Sequence, residues 1–363
     1  MANSVPTLED VANLAGVSKS TASRILATRI DPGKKIPFAS ETQDKVFAAV
    51  AKLGYKPSKL ARGLTMAKTG IIGLVIPSLT DSFFPYVTSA IETRLTEAGY
   101  SVILVNTNSN SKVELSRVED LLSWQVDGLI IAAAQESGEA GLFWDLWRRD
   151  IPFVLIDRTF SDTPFYSVTT DDTVGATLAV EHLLANGCRR IARVCGSPMS
   201  VSTNQQRQAG YLSALMRQGI VPQESSMIDV EHYREEGRQL LDRLLSLDPR
   251  PDGVFCFSDI TAIDIIEACG QYGIRVPEEL AVVGYSDLPQ SRLLKISLTT
   301  IRQPRSLLGR SAAEMLLARM EQKEQPVQIN LPVELVVRQS TMGKRALENS
   351  PKNGDSLPVA AKR

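Results

Sequence analysis

A chain of 363 residues, 43% hydrophobic and 22% charged, has the composition of a globular protein with material for two or three domains, which excludes disordered and fibrous classes. Its net charge of −1 conceals a division: residues 1–69 hold eleven Lys or Arg against five Asp or Glu, an excess of six that leaves the remainder near −7. A basic head on an acidic body points to polyanion contact by the head alone.

Cys188, Cys195, Cys256 and Cys269 show no CxxC pair and no His at ligand spacing, so they read as buried thiols in a reducing compartment. The opening MANSVPTLED has no charged n-region or apolar h-region, and no apolar run approaches the ~20 residues of a membrane span. A soluble, cytoplasmic protein without a membrane partner is expected.

The first element opens with a capping box, Thr7 and Asp10, followed by Leu8, Val11, Ala12 and Ala15 on one helical face. Gly16 suits the left-handed turn that ends this helix, and Val17 packs beneath it. Ser18 is the N-cap of a second helix, Lys19 to Leu26, with Ala22, Ile25 and Leu26 facing inward. SETQ at 40–43 reads as a further capping box, starting a helix with Val46, Phe47, Val50 and Leu53 that Gly54 stops.

Three short helices, the first two joined by a tight Gly turn, make a helix-turn-helix unit. Its second helix exposes Lys19, Ser20, Ser23 and Arg24. In such a unit, residues at the start of the second helix meet base edges, while hydroxyls such as Thr7, Ser18 and Thr21 and the helix N-terminus hold phosphates. A polar, solvated helix in a three-helix bundle would give the same spacing.

TLEDVANLAGVSKSTASRIL and, at 53–64, LGYKPSKLARGL resemble the headpiece and hinge segment of the LacI/GalR family of bacterial transcription regulators. The resemblance implies that Lys19, Ser20 and Arg24 contact bases. It also implies that Ala61 and Leu64 lie at the minor groove, with Leu64 as a wedge that unstacks and kinks the operator centre. One departure is the connection ATRIDPGKKIPFAS, several residues longer than the family usually has, which reads as a tolerated exposed loop.

From residue 71 apolar runs alternate with amphipathic stretches. Strands are expected at 71–76, 101–106, 128–133 and 152–157, and again at 190–195, 227–230, 253–258 and 280–285. Helices are expected near 84–98, 112–123 and 140–149, then near 173–186, 204–218, 235–246 and 260–271. Buried strands joined by helices imply doubly wound sheets, enough for two, with ligands bound beyond the strand C-terminal ends.

This body also resembles the family's, which is similar to periplasmic sugar-binding proteins, through DGLIIAA, DGVFCFSD, VPEELAVVGYSD and LTTIRQP. The expected fold is therefore a small all-α helix-turn-helix headpiece plus an α/β two-lobed periplasmic-binding-protein-like core of two doubly wound parallel sheets. The expected division is a headpiece over 1–57, a hinge helix and linker over 58–69, an effector-binding and dimerisation core over 70–340 and a disordered tail over 341–363. Within the core, the N-lobe takes about 70–170 plus 302–330, completed by the strand and helix of 299–320, and the C-lobe takes about 171–298 plus 331–340. The resemblance implies a homodimer on a palindromic operator. No leucine heptad follows residue 341, so a tetramerisation helix is not expected.

Strand ends should line the cleft with Ser78, Asp81, Phe83, Phe84, Asp157, Arg158, Thr203, Arg207, Ser258, Asp259, Ser286 and Asp287. Carboxylates and Arg satisfy sugar hydroxyls, and aromatic faces cover apolar sugar edges. Phe83 and Phe84 match aromatic effector contacts in the family, Thr203 and Arg207 match ligand contacts, and Asp157 stands where members often have an effector carboxylate. Phe83 and Phe84 could equally belong to a helix staple or a dimer face.

Ser258 replaces a usual Asn and Ser286 a usual Asp, which turns the expectation toward a sugar acid or sugar phosphate held by Arg158 and Arg207. No GxGxxG, P-loop or GxSxG appears, and neither His182 nor His232 has a nucleophile or metal partner. No enzyme, cofactor or metal is expected. The alternatives are a periplasmic-type ligand-binding protein with no DNA role and a regulator controlled by a protein co-repressor.

Overall fold

The computed structural model describes residues 6–27, 38–55, 68–80, 82–136, 140–196, 198–230 and 237–343. They fall into two compact units, divided between Gly70 and Ile71.

The first unit holds α1 (Leu8–Ala15), α2 (Lys19–Ala27) and α3 (Ser40–Leu53). Thr7 and Asp10 form the reciprocal capping box on α1, and Gly16 ends that helix at φ 67°, where a side chain would be strained. The Ser18 hydroxyl accepts from the Thr21 N–H at 3.1 Å, capping α2. Val11, Ala12, Ala15, Ala22, Ile25, Leu26, Val46, Ala49 and Val50 close a small core, with Leu8, Val17, Phe47 and Leu53 packed around it.

The expected capping box at 40–43 is not formed. Ala39 is the N-cap of α3 and makes no side-chain cap bond. Ser40 already lies inside the first turn, and Gln43 Nε2 instead donates to the Phe38 carbonyl at 3.0 Å.

The second unit contains two six-stranded sheets. The N-lobe sheet runs β11-β5-β4-β3-β1-β2. Its strands are β1 (Ile71–Ile76), β2 (Ser101–Asn106), β3 (Gly128–Ile131), β4 (Phe153–Ile156), β5 (Ser167–Thr170) and β11 (Gln328–Leu331). The C-lobe sheet runs β12-β10-β9-β8-β6-β7. Its strands are β6 (Ile191–Cys195), β7 (Met227–Asp229), β8 (Gly253–Cys256), β9 (Ala281–Ser286), β10 (Thr299–Arg302) and β12 (Glu334–Val336).

The helices between them are α4 (Phe84–Glu97), α5 (Ser111–Ser123), α6 (Gly141–Arg148), α7 (Asp172–Ala185), α8 (Ser202–Arg217), α9 (Gly237–Leu245), α10 (Asp259–Tyr272) and α11 (Arg305–Met320). Central strands are apolar, with Arg193 of β6 the exception among them, because helices cover both faces of each sheet.

Three corrections follow. The pair β10–β12 is antiparallel, so the C-lobe sheet is mixed. Strand 299–302 pairs with β9 in the C-lobe and does not complete the N-lobe; the chain crosses just after it, at Gln303–Pro304, so that of segment 299–320 only α11 packs in the N-lobe core. Thr341, expected in the tail, is buried: its hydroxyl lies 2.7 Å from both Thr299 Oγ1 and His182 Nε2. Residues 344–363 and the hinge segment 56–67 lie outside the described residues.

The chain passes between lobes at 170–172, 302–305 and 331–334. Among the described residues, no helix is long and apolar enough to cross a membrane. The four cysteines are buried thiols outside any disulfide among the described residues.

Candidate functional site

In the headpiece, α2 presents Lys19, Ser20, Ser23 and Arg24 to solvent, with Thr21 half-buried beside them. Lys19 makes an exposed ion pair with Glu9 at 3.3 Å, and the Arg24 guanidinium lies 5.2 Å from the Phe38 ring centre. Thr7 and Ser18 use their hydroxyls locally, Thr7 with Asp10 at 2.7 Å and Ser18 with Ser20 at 2.9 Å and Thr21 at 2.8 Å. Their side chains therefore fix the helix starts, while the unpaired amides of the first turn of α2 are what a phosphate could take. Ala61 and Leu64 lie outside the described residues.

The second unit holds a cavity of about 430 Å³ at the C-terminal ends of both sheets, with walls from both lobes. Phe83, Phe84, Asp157, Arg158, Thr203, Arg207, Ser258, Asp259 and Ser286 all line it, as does Ser78. The position of Asp81 lies outside the described residues. Sequence reasoning missed Asn108, Ser109, Asn204, Leu288 and Gln303. Asn108, Ser109, Asp157 and Ser286 adopt positive φ although none is glycine. Their backbones turn sharply where strand gives way to cleft, a costly conformation that clusters at binding sites.

Phe83 and Phe84 stack edge to face with centroids 5.2 Å apart, both buried in the N-lobe core and both on the cavity wall. On the opposite wall, Arg207 Nε donates to Asp172 Oδ1 at 2.8 Å and Nη1 donates to the Phe257 carbonyl at 2.5 Å. The guanidinium lies 3.8 Å from the Tyr285 ring centre. Burial opposes the Arg207 charge, yet Asp172 holds the guanidinium firmly protonated. Asp172 continues into the crossovers: Thr170 Oγ1 donates to its Oδ2 at 3.3 Å, Gln303 Nε2 donates to Thr170 Oγ1 at 2.9 Å, and Ser286 Oγ donates to Gln303 Oε1 at 3.1 Å.

Arg158 donates Nη1 to the carbonyls of Ala133, at 2.9 Å, and Ala134, at 3.3 Å, and its Nε stands 3.8 Å from Asp157 Oδ2. Beneath it, Glu114 accepts from the Ala134 N–H at 2.7 Å. Burial pushes the Glu114 carboxyl up to about 7, against that hydrogen bond and the attraction of Arg158.

Two expected ligand carboxylates are committed elsewhere. Asp259 is fully buried; Oδ2 accepts from Leu288 N at 2.7 Å and Ser291 Oγ at 2.6 Å, and Oδ1 accepts from Thr300 Oγ1 at 2.5 Å. Gly284 leaves room for it, since a Cβ there would stand 2.4 Å from Asp259 Oδ1. Burial raises the Asp259 pKa in spite of these donors.

Asp287 lies off the cavity wall. Oδ1 accepts from Arg338 at 2.5 Å, Oδ2 accepts from Arg302 at 2.8 Å and Arg292 at 3.2 Å, and its carbonyl accepts from Arg305 at 2.9 Å. Burial alone would raise its pKa; the bonds from Arg338 and Arg302 hold it below the ordinary carboxylate range. It is a structural anchor for the second crossover. Among the described residues no group of His, Cys, Asp and Glu is arranged to hold a metal ion.

Residues 7–58 match the model of the bacterial regulatory proteins of the lacI family, and residues 69–339 match that of the periplasmic binding proteins and sugar-binding domain of the LacI family. The chain is 32% identical to a ribose operon repressor of Halalkalibacterium halodurans, over 95% of this chain and 99% of the relative. It is also 32% identical to the HTH-type transcriptional repressor PurR of Photobacterium profundum, over 92% of this chain and 98% of that one. A lac repressor dimer bound to operator and the anti-inducer ONPF superposes with a TM-score of 0.79 at 30% identity, covering 93% of this chain and 99% of that one. A complex of the transcriptional regulator CelR with cellobiose gives a TM-score of 0.68 at 28% identity, covering 92% and 99%.

Proposed function

Because the chain belongs to the LacI family of bacterial transcriptional regulators, a family of DNA-binding, non-enzymatic proteins with small-molecule effectors, we propose that it acts in the cytoplasm as a homodimeric repressor of a two-fold operator, controlled by an effector of the sugar class. The regulatory headpiece sets aside a ligand-binding protein with no DNA role.

One observation carries the effector reading: a cavity of about 430 Å³ at the strand ends, walled by residues of both lobes and by Gln303 of the second crossover. That volume suits a small metabolite of one or two rings. Thr203, Asn204 and Ile260 bring the first turns of α8 and α10 to the wall, so unpaired amides face a ligand's oxygens. Phe83 and Phe84 offer an apolar face to a sugar ring.

The charge balance favours a neutral sugar over the acid or phosphate expected from the sequence. Arg207 already faces Asp172 at 2.8 Å and Arg158 faces Asp157 at 3.8 Å, so each guanidinium is matched by a carboxylate. A ligand can still hydrogen-bond to these groups, but the wall offers no net positive charge to an anion.

The reader residues are Lys19, Ser20 and Arg24, with Ser23 alongside, Thr7, Ser18 and Thr21 near the phosphates, and Ala61 and Leu64 at the operator centre. Ligand closure of the cleft would bias two arrangements of the dimer that differ in operator affinity. β2 is the free edge of the N-lobe sheet and exposes Leu104, which suits a dimer contact.

The test is selection from random duplex DNA with full-length protein at ~150 mM salt, where non-specific phosphate binding is weakened. A two-fold site with a flexible central step is expected; enrichment of single half-sites would overturn the dimer. A thermal-shift panel of neutral sugars, sugar acids and sugar phosphates then decides the effector. Stabilisation confined to the acids and phosphates would overturn the neutral reading.

A further inference from the structure

Gln135 sits at the rim of the cavity, outside its lining, on the N-lobe loop that follows β3. It is 5% exposed and holds φ at 54°, a left-handed conformation that a residue other than glycine keeps only when its surroundings enforce it. The enforcing contacts come from two directions. Nε2 donates to the Thr159 carbonyl at 2.8 Å within the N-lobe, and Oε1 accepts the Ser202 N–H at 2.9 Å from the C-lobe. Ser202 Oγ completes the loop by accepting from the Thr159 N–H at 3.1 Å. Beside it, Ser200 Oγ donates to the Glu136 carbonyl at 3.1 Å, again across the cleft.

Ser202 is the first residue of α8, and the N-cap residue Val201 makes no side-chain cap bond. One of the amides that α8 leaves unpaired is thus capped by a side chain of the other lobe. The same helix carries Thr203 and Arg207 to the cavity wall, and the loop of Thr159 carries Asp157 and Arg158. Opening the lobes would uncap α8 and strip the carboxamide oxygen of its partner, while Nε2 keeps the Thr159 carbonyl, and an unmet buried acceptor is costly.

We propose that Gln135 is the positioning residue of the cleft: a latch whose single carboxamide holds both walls in the closed register, so that the hinge angle and the geometry of the ligand site change together. Gln135 is outside the cavity lining and acts through Ser202 and Thr159. Its formation sets how readily the lobes part.

The experiment is hydrogen–deuterium exchange on full-length protein, comparing wild type with Gln135→Met, which keeps the volume and removes both hydrogen bonds. Amides over 200–206 and 157–161 are expected to exchange about tenfold faster, together, while the sheets and α1–α3 are unchanged. Acceleration limited to 131–136, or none, overturns the latch, because a residue that only packs its own loop would move nothing in the other lobe. Should Gln135→Met accelerate exchange through the whole core, Ser202→Ala decides. It leaves both carboxamide hydrogen bonds in place, so slow exchange over 200–206 is expected to persist, and acceleration there as great as in Gln135→Met overturns the latch. The readout needs neither ligand nor operator, so its failure would leave the regulatory reading standing.

Discussion

Arg207 and Asp172 form an ion pair at the root of the cleft, with Asp172 fully buried and the Arg207 side chain nearly so. The pair joins the cavity wall to the first crossover, since Asp172 begins α7 directly after Thr170 and Asp171. Removing one partner would leave an uncompensated charge in a dry site. Asp172→Leu alone, or Arg207→Met alone, should therefore cost about 3–5 kcal/mol in urea denaturation, on the scale of broken buried pairs. The double variant Arg207→Met with Asp172→Leu should recover much of that loss. If the double variant were as unstable as the sum of the singles, the two residues would not be acting as a pair.

Asp157 and Asp287, both expected as ligand carboxylates, should now behave differently. Asp287→Ala leaves Arg338, Arg302 and Arg292 facing one another without their shared acceptor. It should lower the melting temperature sharply while leaving unchanged the additional shift produced by a stabilising sugar from the panel. Asp157→Asn should do the reverse, because Asp157 lines the cavity. Equal loss of the ligand-induced shift in both variants would place Asp287 at the ligand after all.

That contrast shows where the sequence was legible. Apolar runs such as IIGLVI and LAVVGY announce buried strands because helices cover both faces, and their ends locate Phe83, Asp157, Arg207 and Ser286 at the cleft. The short strand SVTT and the edge strands QINL and ELV carry no apolar run and are invisible in the sequence. TTIR fits either sheet by composition, and only the pairing of β10 with Val283–Ser286 assigns it to the C-lobe.

Asp259 and Asp287 show a different limit. A carboxylate at a strand end reads as a ligand group, and nothing local says that Ser291, Thr300 or Arg338, up to 51 residues away, will take it. Gln135 was missed for the same reason, since its partners Thr159 and Ser202 come from two other loops. The capping box at Thr7, by contrast, is a relation over three residues and could be read directly.

Glu114 gives a pH prediction. Burial pushes its carboxyl up to about 7, from an ordinary 4.5. An acid whose folded pKa is raised favours folding while protonated, so its contribution is present below about pH 4.5 and is lost as pH rises through about 7. The swing is on the order of 3 kcal/mol. Glu114→Gln keeps an acceptor for the Ala134 N–H without a charge. It should be near neutral at pH 5 and should raise the melting temperature at pH 8, by several degrees per kcal/mol at most. An equal effect of the substitution at both pH values would mean that Glu114 is ionised in the fold throughout.

The recognition face is tested by substitutions that separate base reading from phosphate holding. Arg24 is exposed on α2 and bears no ion pair among those of the described residues, its guanidinium resting near the Phe38 ring. Arg24→Ala should leave the headpiece folded, because Ile25 and Ala22, not Arg24, fill the core. Its operator affinity should fall by about 1–3 kcal/mol, and the preference at one base position in each half-site should relax. Lys34→Ala, in the basic connection between α2 and α3, should weaken binding to all sequences about equally and reduce the salt dependence by about one counterion per headpiece. Competition binding against a panel of single-base operator variants, repeated at two salt concentrations, separates the two. Identical behaviour of the two variants would remove α2 as the base-reading helix, since a phosphate contact cannot distinguish one base pair from another.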